Sequence, residues 1–67
     1  MNTATATIDS KNQNRIEIFK SAAYQINDGD DVARNTQTAR LAFYNMSIEA
    51  QNIVCDWHEE TFGKNWR

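Results

Sequence analysis

The sequence predicts an all-α domain, either a helical hairpin or a three-helix unit, that assembles with a second copy as a homodimeric helical bundle. Three observations carry this reading. The 67 residues contain no proline, so no interior position is barred from a helix by a missing N–H. Apolar residues recur at helical spacing through two long stretches. A cluster of turn-forming residues, Asp28-Gly29-Asp30-Asp31, separates them.

The opening segment alternates Thr with Ala and then reaches Ile8. Alternation places Ala4, Ala6 and Ile8 on one side of an extended chain and Thr3, Thr5 and Thr7 on the other. Alanine and threonine bury too little surface to hold a strand. Residues 1–9 are therefore expected to form a flexible arm ahead of a single helical domain over residues 10–67.

A first helix is predicted over residues 10–27. Asp9 or Ser10 can serve as N-cap, accepting from backbone N–H groups that lack an intrahelical partner. At 100° per residue, Ile16, Ile18, Phe19, Ala22, Ala23 and Ile26 share about half the circumference, with Glu17, Lys20, Ser21, Tyr24 and Gln25 opposite. Gly29 supplies the left-handed conformation that a helix exit commonly needs.

Asp30 or Asp31 then caps a second helical stretch, residues 32–62. Ala39, Phe43, Met46, Ala50, Ile53 and Trp57 follow heptad spacing, which favours one continuous helix. The alternative is a break at Asn45-Met46-Ser47, with Ser47 capping a third helix. A second apolar line runs through Leu41, Tyr44, Ile48, Cys55 and Phe62, leaving a narrow polar side of Asn45, Glu49, Asn52, Asp56, Glu59 and Glu60. A helix apolar over more than half its circumference packs against more than one neighbour. Gly63 ends the stretch.

The first helix would extend about 27 Å and a continuous second helix about 46 Å, so the second would overhang a hairpin by roughly a dozen residues. Ile53, Val54, Cys55, Trp57 and Phe62 would lie on that overhang. A second copy, another protein or a third helix folding back must then cover them. A two-fold dimer is the simplest solution.

The chemistry-bearing residues are few. Cys55 and His58 stand at i and i+3 and could supply half of a metal site across a dimer. The plainer reading is a buried, inert cysteine beside a partly exposed histidine. His58-Glu59 lacks the second histidine of a metalloprotease helix, since position 62 is Phe. Set as an EF-hand loop around Gly29, the turn would put Tyr24 and Asn35 where carboxylates are required. The expectation is therefore no enzyme, no cofactor and no metal. Seven Lys+Arg against nine Asp+Glu give a net charge of -2. No apolar run is long enough to span a membrane, and a lone cysteine fits a reducing cytoplasm.

Function is then expected to reside in binding: a small regulatory or inhibitory protein acting on a larger protein partner. The aromatic and aliphatic contact residues would be Tyr44, Ile48, Trp57, Phe62 and Trp66, rimmed by Glu49, Asp56, Glu59 and Glu60. For each aromatic the alternative is a place in the chain's own core. The alternative function is a ribbon-helix-helix-like DNA-binding repressor that inserts residues 3–8 into the major groove. The sparse basic residues, the weak strand and an overlong second helix count against it.

Overall fold

The computed structural model describes residues 9–67, so all but Asp9 of the expected arm, and the whole of the ribbon strand 3–8, lie outside the described residues. Three helices follow: α1 (Ser10–Asn27), α2 (Val32–Tyr44) and α3 (Ile48–Phe62). Among the described residues there is no strand.

Helix α1 begins where its cap predicts. The Asp9 carboxylate accepts from the Asn12 backbone N–H at 2.9 Å and from the Asn12 side-chain amide at 3.0 Å. Those hydrogen bonds hold its pKa below the ordinary carboxylate value, because they favour the charged form. The helix ends in a six-to-one closure, Asp30 N–H to the Gln25 carbonyl, around Gly29 at φ 78.

Asp31 occupies the N-cap position of α2 but makes no side-chain cap bond, because its backbone is left-handed at φ 42. The Asn35 amide closes the turn instead, donating to the Asp30 carbonyl at 2.8 Å and the Asp31 carbonyl at 3.2 Å.

The continuous helix over residues 32–62 does not form. The chain breaks at Asn45-Met46-Ser47, and several of the groups released by the break find partners nearby. The Asn45 N–H and side-chain amide donate to the Leu41 carbonyl, and the Gln51 amide donates to the Phe43 carbonyl. The Ser47 hydroxyl accepts from Ala50 N–H, while Ser47 N–H donates to the Asn12 side-chain oxygen on α1. Heptad spacing misses this because α2 and α3 bury the same kind of stripe on both sides of a local reversal.

The break decides the architecture. Arg15–Asn45 and Gln25–Asn35 hydrogen bonds set α1 and α2 antiparallel. Contacts then advance together along α1 and α3, from Asn12 with Ser47 through Phe19 with Trp57 to Tyr24 with Phe62. Helix α3 thus runs beside α1 in the same direction. The dozen-residue overhang does not exist, and Val54 and Cys55 lie in the chain's own core.

That core has two parts. Ala22 and Ala23 of α1, Ala39 and Ala42 of α2 and Ala50 of α3 are buried, and such small side chains let helix axes approach closely. Phe19, fully buried, anchors the second part, with Phe43, Trp57, His58 and Trp66 rings around it at centroid distances of 4.9–6.4 Å.

Candidate interaction surface

Of the nine expected contact residues, three are engaged in the core. Trp66 follows α3, whose C-cap Gly63 takes φ 77 and donates its N–H to the Glu59 carbonyl at 2.8 Å. The tail then turns back, so that Trp66 meets Phe19 edge-on at 4.9 Å and Arg67 lies over the Phe43 ring at 5.7 Å. Trp57 packs on Phe19 and Tyr24, with the Lys20 ammonium 5.4 Å from its ring. Phe62 rests on Trp57, His58 and Tyr24. All three are half-buried against the core.

The other six face outward. Tyr44 is 73% exposed at the end of α2 and Ile48 is 69% exposed at the start of α3, on either side of the break. Glu49, Asp56, Glu59 and Glu60 are exposed along α3 together with Asn52. By helical projection these residues occupy one arc, bounded at one edge by Ile48 and at the other by half-exposed Ile53. Among the described residues the ion pair is Arg34–Asp31 at 3.7 Å, so none of the four α3 carboxylates forms one there, while the Arg67 guanidinium donates to Asn52 of the same arc at 3.4 Å. The Asn65 amide reaches Glu59 at 3.4 Å.

A second surface was not anticipated. Ile18, expected on the buried face of α1, is 40% exposed, and Leu41 of α2 is 57% exposed. Both line a shallow hollow of about 460 Å³ between the two helices, on the side away from α3. A neighbouring hollow of about 360 Å³ shares Ile18 and Thr38 with it and has Ala22 in its floor. The signal was present in the heptad lines: Leu41 falls off the line of Ala39 and Phe43 that α2 buries.

Cys55 and His58 are both buried, which corrects the expectation of a partly exposed histidine. The His58 ring sits among Phe19, Phe62 and Trp66, and its Nδ1–H donates to the Lys64 carbonyl at 2.6 Å, which pins the returning tail. Burial pushes the Cys55 thiol above its ordinary pKa, with Arg67 opposing and Asp56 adding to the shift. A protonated, enclosed thiol is a poor nucleophile and a poor ligand. Among the described residues no three His, Cys, Asp or Glu side chains gather as a metal site would require, and no helix is long and apolar enough to cross a membrane.

Comparison with protein-family models, with curated proteins and with solved structures finds no match to this chain.

Proposed function

We propose that this protein works by binding: a small, non-enzymatic regulator or inhibitor of a larger protein in the cytoplasm, itself self-associating as a dimer. The observation that carries the partner-binding reading is the exposure of Tyr44 and Ile48, two large apolar side chains mostly in water, beside an arc whose four carboxylates make no ion pair among the described residues. Interfaces commonly join such an apolar anchor to a charged rim that steers encounter. The partner surface that fits is an apolar depression flanked by Lys or Arg. Trp57, Phe62 and Trp66 enter this reading as the support that holds α3 in place, with their residual exposed edges as secondary contacts.

The test is affinity capture from the native host with wild-type protein, a Tyr44→Ala, Ile48→Ala variant and a Glu49→Lys, Asp56→Lys variant. Both variants should retain full helix content and lose the captured protein. Titrating wild-type chain into that protein should then change its activity. Equal capture by all three would sink the proposal.

The DNA-binding alternative gains one point. Helix α2 has 13 residues rather than the 31 of a continuous second stretch, which removes the objection from length. Deleting residues 1–8 separates the two readings, since a repressor loses DNA binding and a helical partner-binder keeps its partner.

A further inference from the structure

The expected dimer drew its reason from an overhang that α3 abolishes, so any copy-to-copy contact must lie elsewhere. We propose that two copies pack through the open face of the α1–α2 hairpin, about a two-fold axis passing near Ile18 and Thr38, with Leu41 of each copy entering the Ala22-floored hollow of the other. This deepens the self-association proposed above and leaves the Tyr44–Ile48 corner and the acidic arc free for a different protein.

Shape, charge and size favour a second copy as the occupant. A closed two-fold contact needs a self-complementary patch, in which whatever projects on one side of the axis meets a recess on the other. Ile18 and Thr38 belong to both hollows, so they mark a midpoint. Leu41, 57% exposed, projects on one side of it, and the hollow with Ser21, Ala22 and Gln25 lies on the other. A two-fold rotation about that midpoint satisfies both pairs at once.

Charge makes the same selection. The lining of the two hollows carries one charge of each sign, Arg15 and Glu17, and the Arg15 guanidinium already donates to the Asn45 carbonyl at 2.8 Å. The rest is aliphatic, hydroxyl or amide, which matches the depletion of charge at interface centres. The outer face of α3 could not serve two identical copies, because Glu49, Asp56, Glu59 and Glu60 would then oppose one another. Size fits as well. Helix α1 is about 27 Å long, so the face it makes with α2 has the extent of a small interface.

Sedimentation equilibrium across micromolar to hundreds of micromolar chain tests the proposal. Wild-type protein should approach twice the 7.7 kDa chain mass. Leu41→Glu and Ile18→Glu, each placing a carboxylate where the monomer already meets water, should keep the helical circular dichroism and weaken dimerisation by at least about 30-fold. Thr38→Cys near the axis should oxidise to a covalent dimer, with buried Cys55 as the internal unreactive control. The Tyr44→Ala, Ile48→Ala variant should remain dimeric. A single-chain mass for wild-type protein at the highest concentration overturns the dimer. A dimer that survives both glutamate variants, or that is lost with Tyr44 and Ile48, overturns this face. Either result leaves the partner-capture readout standing on its own.

Discussion

The α1–α2 hairpin presents two broad sides, and their treatment differs. One side carries Ile16, Phe19, Ala23 and Phe43, and α3 with its returning tail covers it so that all four are buried. The other carries Ile18 and Leu41 over Ala22, Ala42 and Thr38, and nothing among the described residues covers it. Both sides are apolar by composition. What separates them is side-chain size: a phenylalanine ring leaves a large area that must be shielded, whereas isolated aliphatics among Ser, Thr and Gln can stand in water at modest cost.

The largest expected effect comes from removing the ring that organises the covered side. Phe19→Ala should cost about 3–5 kcal/mol, as large-to-small changes in packed aromatic cores do. In a domain this small that loss is enough to leave much of the chain unfolded at 25 °C, read by urea titration of the helical signal. Trp66→Ala should cost less, about 2 kcal/mol, because the ring is only half-buried. A drop as large as that for Phe19 would mean that the tail, rather than α3, closes this side.

Ser47→Ala should cost about 1 kcal/mol by unsatisfying Ala50 N–H, lowering Tm by roughly 4–8 °C. A null result there would place the α2–α3 break under the control of Gln51 and Asn45 instead. On the open side, Leu41→Ala should change monomer stability by no more than about 0.5 kcal/mol, measured below the concentration of self-association. A larger loss would mean that the two sides are alike after all.

Acid gives the smallest effect. The Asp9 pKa is lower in the folded chain than in the unfolded one, so its contribution is present above the unfolded value and disappears as pH falls through the folded value. Thermal melts between pH 5 and 2, compared with those of Asp9→Asn, should show a slightly shallower acid decline in the variant.

Much of this fold is legible in the sequence. The bounds of α1, its cap, its exit at Gly29 and the solvent-facing acids of α3 all follow from spacing and cap chemistry, which are local properties. The break at residues 45–47 was visible only as one of two options. One of its stabilising bonds comes from Asn12, which linear spacing does not bring near Ser47. Trp57, Phe62 and Trp66 were recognisable as anchors but not assignable to core or surface, since that depends on where α3 returns. Of the proposed interaction surface, Tyr44, Ile48 and the four carboxylates were named from the sequence. The Ile18–Leu41 face was not, because both residues sit at the margins of their helical stripes.

The meeting of Phe19 and Trp66 has a consequence for how the chain is made. The two residues are 47 positions apart in sequence, whereas most helix-to-helix contacts here span far fewer. The α1–α2 pairs close shorter loops and can form without it, whereas the Phe19–Trp66 contact has to wait until Trp66 has left the ribosome. A chain cut before Trp66 leaves that edge of Phe19 without its cover.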